Sequence, residues 1–175
     1  LDASAWLLGK NGKLVDDDHL VFYNSEFKME PSSATGKPVA RTFKNPIDWC
    51  TCKSGSVWNE GDDLDGDDDG DGADGETINV DLSKVSASVD SILITVTIHN
   101  AEDKRQNFGM VEDSVIRVTD AVTGEEICKY ELDEDFSTET ALEFGKLYRR
   151  GNSWKFKALG SASAGEMQGL VNKYA

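Results

Sequence analysis

The sequence has few histidines, few prolines and few basic residues, and it contains no long apolar run. Among its 175 residues are two histidines, three prolines, and 18 Lys and Arg against 33 Asp and Glu. No run approaches the ~20 apolar residues of a membrane-spanning helix, and no signal peptide is visible. The net charge of −15 disfavours nucleic acid as a partner, because phosphate binding needs a basic surface.

Cysteine is also scarce, and its odd count excludes a disulfide framework. Cys50-x-Cys52 would need a second Cys or His pair to form a zinc site, and His19 and His99 are isolated. We therefore expect two loop thiols and, at Cys128, one strand thiol. A structural zinc site at Cys50 and Cys52 is the less favoured alternative.

Acidic residues are abundant, and they are concentrated in one stretch. Residues 61–76 read GDDLDGDDDGDGADGE, with nine acidic residues, five glycines and no basic residue. These nine acids account for more than half of the net charge of −15. Because the excess is local, it indicates a binding site rather than general solvation of the surface.

Most of the remaining chain has the alternation and β-branched content of short strands. With 38% hydrophobic residues, its length fits one domain with its own core. We predict a single all-β domain over 1–175, an antiparallel β-sandwich with a long inserted loop at 25–60 and a short C-terminal helix at 164–174. The predicted strands cover residues 1–8, 20–24, 77–82, 91–99, 114–120, 126–132, 141–150 and 153–159.

If these strands alternate in direction, the acidic residues meet at one end of the sandwich. Asp2, Asn24, the stretch 62–76 and the loops 100–113 and 133–135 would share this end. So many carboxylates repel each other unless a cation binds. Hard oxygen ligands without thiolates favour calcium.

The spacing within the stretch fits the calcium-loop pattern D-x-[DN]-x-[DN]-G-x5-E. No helix pattern flanks it, so we do not predict an EF-hand. A disordered acidic loop is the alternative. In this register, side-chain oxygens come from Asp65, Asp67 and Asp69, the backbone carbonyl from Asp71, and a closing bidentate carboxylate from Glu76.

Motifs along nearly the whole chain resemble the TerD, or tellurium-resistance, group of calcium-binding stress proteins. They are LDASAWLLG, VFYN, GDDLDG, DGD at 69–71, INVDLSKV, TIHNAE, QNFGMV, IRVTD, DFSTETALEFGKLYR and WKFKALG. The resemblance implies a β-sandwich that binds two calcium ions through acidic loops. The family's acidic loop positions correspond to Asp62, Asp69, Asp71 and Glu76.

The chain departs from the family in three places. About three extra residues lie between Asp71 and Glu76, residues 25–60 are longer than expected, and a strand that normally precedes Leu1 is missing. We therefore expect a longer gene product, or a strand supplied by another subunit of an oligomer, because a missing strand exposes a sheet edge.

The predicted function is a non-catalytic, calcium-binding stress-response module in the cytoplasm, with other proteins of a stress-response complex as partners. The alternative is a calcium-dependent module that binds a membrane surface or a protein, for which Trp49 and Trp58 are the aromatic candidates. No nucleophile–base–acid set favours a hydrolase, and His99 is expected to pack or hydrogen-bond. The combined metal-ligand candidates are Asp2, Asn24, Asp62, Asp65, Asp67, Asp69, Asp71 and Glu76.

Overall fold

A computed structural model describes residues 1–29, 39–40, 49–61, 76–111, 115–131 and 136–175. The described residues form twelve strands and two α-helices. The strands are β1 Asp2–Leu8, β2 Leu20–Val21, β3 Phe27–Met29, β4 Val39–Ala40, β5 Trp49–Thr51, β6 Val57–Asn59, β7 Ile78–Val80, β8 Ser91–Thr97, β9 Val115–Thr119, β10 Glu126–Glu131, β11 Ala141–Arg150 and β12 Ser153–Ser163. The helices are α1 Ala101–Lys104 and α2 Glu166–Tyr174.

The first sheet has the order β12-β11-β8-β1-β2 and contains four long strands at positions that the sequence predicts. The strand predicted at 20–24 is shorter in the structure, where β2 covers Leu20–Val21. All neighbours are antiparallel, and β1 pairs with β8 from Asp2 opposite Thr97 to Leu8 opposite Ser91. The start of β1 and the end of β8 therefore lie at the same end of the sheet, as alternating strand directions predict.

The second sheet has the order β4-β3-β5-β6-β7. Four of its strands come from residues 25–60, for which the sequence predicts a loop. Each of these strands is only two or three residues long, too short for alternation to be recognised. This correction also places Cys50 within β5, so it is a strand thiol, whereas Cys52 lies in the connection directly after β5, as predicted. Both thiols are buried.

The core lies between the two sheets. Ala5, Leu7 and Ile92 from the first sheet pack with Cys52 and Val57 from the second, and all five are at most 1% exposed. Burying a side chain of the size of Leu7, Ile92 or Val57 contributes about 1.5–3 kcal/mol. This face-to-face packing makes the molecule an all-β sandwich.

The other face of the first sheet is buried as well. Trp6 and Leu93 pack there against Leu170 of α2, the helix that the sequence predicts at the C-terminus. The Trp6 indole Nε1 donates a hydrogen bond to Thr95 Oγ1 at 2.9 Å, so its one polar atom is satisfied. Among the helices of the described ranges, none has the length and apolar composition needed to cross a membrane.

Strands β9 and β10 form a separate antiparallel hairpin through the turn at 121–125 that the sequence predicts. Ile116 and Tyr130 from the hairpin pack with Phe144 and Leu142 of β11. Cys128 lies on β10, in agreement with its assignment as a strand thiol.

Candidate metal centre

One end of the sandwich, here called the rim, collects residues from both sheets. It comprises Asp2 and Ala3 of β1, residues 22–24 after β2, residues 59–61 and 76–77 around the β6–β7 connection, and residues 98–100 after β8. The antiparallel pairing of the strands brings these residues together. The start of β1 lies beside the end of β8, and the connection from β6 to β7 lies at the same end of the sandwich.

Glu76 connects the two sheets at the rim. Its Oε2 accepts a hydrogen bond from the backbone N–H of Ala3 at 2.8 Å and another from Asn59 Nδ2 at 3.1 Å. These two hydrogen bonds connect Glu76, which precedes β7, to β1 of the first sheet and β6 of the second. Glu76 therefore contacts Ala3, the residue that follows Asp2 in β1. Glu76 and Asp2 lie at the same end of the sandwich, as the sequence predicts.

Asn59 is a rim residue that the sequence analysis did not single out. Its side chain is 4% exposed, and Nδ2 also donates to the Ala3 carbonyl at 3.1 Å. Its Oδ1 accepts from the backbone N–H of Gly61 at 2.6 Å. The sequence shows only that this asparagine lies two residues before Gly61, because its contacts depend on strand register.

The first and last residues of the acidic stretch therefore both contact the side-chain amide of Asn59. Gly61 and Glu76 both hydrogen-bond to Asn59, and Glu60 N donates to the Thr77 carbonyl at 3.1 Å. Gly61 has a φ of +86°, a conformation that glycine adopts without strain. Both ends of the acidic stretch, Gly61 and Glu76, thus lie at the rim.

Asp2 and His99 form the second part of the rim. His99 Nδ1 lies 3.5 Å from Asp2 Oδ2, and the His99 ring meets Tyr23 edge-on with centroids 5.8 Å apart. This confirms that His99 packs and pairs. Because Tyr23 precedes Asn24, the turn after β2 is held against the end of β8.

The structure thus brings three predicted ligands, Asp2, Asn24 and Glu76, to one rim. The others lie outside the described residues; they are Asp62, Asp65, Asp67, Asp69 and Asp71. Within the described ranges, no group of three or more His, Cys, Asp or Glu side chains is close enough to hold a metal ion. The calcium ligand register remains a prediction from the sequence.

The cysteines of the second sheet have separate environments. Burial raises the pKa of the Cys52 thiol, but hydrogen bonds with the Ser54 and Ser56 hydroxyls and with backbone groups outweigh burial, so the pKa is lowered. Its Sγ lies 3.3 Å from Ser54 Oγ and 3.4 Å from Ser56 Oγ. Cys50 instead contacts Lys28 Nζ. That neither cysteine binds zinc remains a prediction.

Comparison with known proteins extends over the whole chain. The TerD domain matches residues 1–174. Tellurium resistance protein TerD of Serratia marcescens is 37% identical over 174 residues, which cover 99% of this chain and 77% of that protein. General stress protein 16U of Bacillus subtilis is 36% identical over 99% of this chain and 76% of its own length.

A crystal structure supports the fold independently of sequence identity. A Streptomyces coelicolor homologue of telluride resistance protein TerD superposes with a TM-score of 0.58 at 14% identity, covering 97% of this chain and 82% of that chain. At this identity the likeness concerns the fold alone. Together with the family match and the two relatives, it leads to one conclusion: the chain belongs to the TerD domain family.

Proposed function

We propose that this TerD-family protein is a non-catalytic stress-response module that binds calcium at the rim. The supporting observation is that Gly61 and Glu76, at the two ends of the acidic stretch, contact the Asn59 amide beside Asp2. Nine acidic residues are therefore connected to the part of the fold where Asp2 and Asn24 lie.

The chemistry of the donors fits calcium. Asp2 and Glu76 offer carboxylate oxygens and Asn24 an amide oxygen, and Ca²⁺ takes six to eight oxygen ligands in flexible geometry. Calcium would supply positive charge that offsets the repulsion among the carboxylates. The Asp side chains at 62, 65, 67, 69 and 71 would complete its coordination.

Hydrogen bonds at the rim support the proposal, because they hold Glu76 and the residue that begins the acidic stretch in place. Asn59 fixes both ends of the acidic stretch, and Glu76 Oε2 is held by two N–H donors. These bonds reduce the conformational freedom that binding would otherwise have to remove, which favours affinity. Calcium binding would therefore connect the β6–β7 connection to β1 and so couple the two sheets.

Isothermal calorimetry tests the proposal directly. The purified, chelator-treated chain is titrated with calcium, and the expected stoichiometry is about two ions per chain. A variant with Asp65, Asp67 and Asp69 changed to Asn should lose at least one binding event. The absence of calcium binding by the unmodified chain would refute the proposal.

A matched control changes Asp16, Asp17 and Asp18 to Asn. It removes the same three charges, but at the start of β2, away from the rim. This control should keep the calcium stoichiometry of the unmodified chain. If both triple variants lose calcium equally, net charge rather than the rim governs binding.

A membrane surface is the second candidate partner, and the exposure of Tyr23 favours it. Tyr23 lies at the rim with 55% of its surface exposed, where an aromatic side chain can insert between lipid headgroups. Trp49 and Trp58 lie half-buried within β5 and β6 rather than on a rim loop. Sedimentation with phosphatidylserine vesicles tests this candidate, once in calcium and once in chelator. The Tyr23→Ser variant is the control.

A further inference from the structure

Lys28 and Cys50 lie directly opposite each other in the second sheet. They are paired in the antiparallel register of β3 and β5, so their side chains lie on the same face. Each residue is only 6% exposed. A lysine is rarely buried to this extent without a charged partner.

The two side chains are closer than a nitrogen–sulfur hydrogen bond requires. Lys28 Nζ lies 2.7 Å from Cys50 Sγ. An N–H···O bond usually spans about 2.9–3.0 Å, and sulfur is a larger atom than oxygen. The separation instead suits two atoms that are both bonded to one small atom between them.

Among the described residues, the contacts of Lys28 offer little else to stabilise a buried ammonium group. In the described part of the chain, the other polar contact of Lys28 Nζ is the Tyr23 carbonyl at 3.4 Å, which also lies 3.4 Å from Cys50 Sγ. A neutral carbonyl compensates poorly for the cost of burying a charge. A covalent link would leave no charge on either group.

We propose that Lys28 and Cys50 form an oxygen-bridged N–O–S crosslink under oxidising conditions. The co-reactant is molecular oxygen. One oxygen atom bonds to Lys28 Nζ and Cys50 Sγ, while the amine gives up one hydrogen and the thiol gives up its own. These two hydrogens leave with the second oxygen atom as water. Nitrogen and sulfur are each oxidised by two electrons, and dioxygen is reduced by four.

The crosslink is a reversible modification, because the N–O and O–S bonds can both be reduced. Four electrons and four protons from thiol reductants return the amine, the thiol and one water molecule. The bridge would connect β3 covalently to β5 and so stabilise the second sheet when the protein is oxidised. Cys50 pairs with Asn59 in the β5–β6 register. The side chains of Lys28 and Cys50 both contact the Tyr23 carbonyl, so the crosslink would lie beside the rim. Its formation does not require calcium binding.

Cys52 provides an internal comparison. It is buried like Cys50 and has a lowered thiol pKa, but its described polar contacts are the hydroxyls of Ser54 and Ser56 and backbone groups rather than an amine. Oxidation of Cys52 therefore leads to sulfenic or sulfinic acid without a link to lysine. Of these two buried cysteines, Cys50 is the one whose described contacts have the geometry for the bridge.

Mass spectrometry of the full chain tests the proposal. Protein reduced under anaerobic conditions is compared with the same protein kept in air-saturated buffer. The oxidised chain should gain the mass of one oxygen atom less two hydrogen atoms. Proteolysis should then yield the Lys28 and Cys50 peptides joined together, and dithiothreitol should separate them.

Four controls keep the test decisive. Cys52→Ser should retain the crosslink, while Cys50→Ser and Lys28→Arg should lose it. Unmodified protein oxidised in denaturant should not form it, since the fold brings the groups together. Unlinked peptides with one or two added oxygens at Cys50, or a joined pair lacking the bridging oxygen, would overturn the proposal, as would an unmodified, fully alkylatable Cys50.

Discussion

Asn59 shows how one neutral side chain can hold together the residues at the two ends of an acidic segment. It uses both ends of its amide and contacts Ala3, Gly61 and Glu76 across two sheets. Because Asn59 is only 4% exposed, water cannot easily replace these partners. The acidic residues provide potential ligands, and this neutral residue fixes where their segment begins and ends.

Asn59→Ala should destabilise the fold by about 1–3 kcal/mol, because buried donors and acceptors would lose their partner. Urea denaturation of the calcium-free protein measures this change. Asn79→Ala is the matched control, since Asn79 Nδ2 makes an exposed contact with Glu60 Oε1 at 2.7 Å. Similar losses in the two variants would contradict the role assigned to Asn59.

Glu76→Gln should weaken calcium binding more than Asp68→Asn. Glu76 occupies the closing position of the calcium-loop pattern and is held at the rim, whereas Asp68 falls between ligand positions in the sequence. Both variants remove one negative charge, so the comparison isolates position. Calorimetric titration of the two proteins measures it, and equal dissociation constants would show that the proposed register is mistaken.

Among the elements, the bulge between β11 and β12 explains how the β9–β10 hairpin is seated. The register shifts between Glu143 and Gly145, so that Ser161 and Ala158 are the flanking partners on β12. Gly160 falls within this irregularity with a φ of +59°. A Cβ at Gly160 would lie 2.3 Å from the hydroxyl oxygen of Tyr130 on β10.

Gly160→Ala should therefore destabilise the protein. The left-handed backbone costs a non-glycine residue roughly 1–2 kcal/mol, and the Tyr130 contact adds to it. Thermal unfolding of Gly160→Ala with and without Tyr130→Phe separates the two contributions, because phenylalanine lacks the contacting oxygen. If Gly160→Ala unfolds at the same temperature as the unmodified chain, the bulge does not need glycine.

At the scale of the whole molecule, the long strands were predictable and the second sheet was not. Strands such as β8 and β11 are long enough for their hydrophobic patterns to be recognised. The strands of residues 25–60 are stabilised by pairing with each other and by packing on the first sheet, which no local pattern encodes.

The candidate site also has a part that was predictable from the sequence and a part that was not. The chain direction of the strands was sufficient to place Asp2, Asn24 and Glu76 at one end, because antiparallel sheets alternate. The Asn59 bridge and the Lys28–Cys50 pair depend on register between strands far apart in sequence. Register of such short strands follows from tertiary packing, so their contacts could be found only in the folded structure.

Calcium should raise the stability of the whole molecule. Nine acidic residues lie between Gly61 and Thr77, and their mutual repulsion opposes the folded arrangement when no cation is bound. A ligand that binds only the folded state stabilises it by about 2.7 kcal/mol at a hundredfold excess over its dissociation constant. Differential scanning calorimetry in calcium and in excess chelator measures the shift, with magnesium as the comparison cation because it requires tighter octahedral geometry. An identical melting temperature in calcium and in chelator would contradict the assignment of the rim as a calcium site.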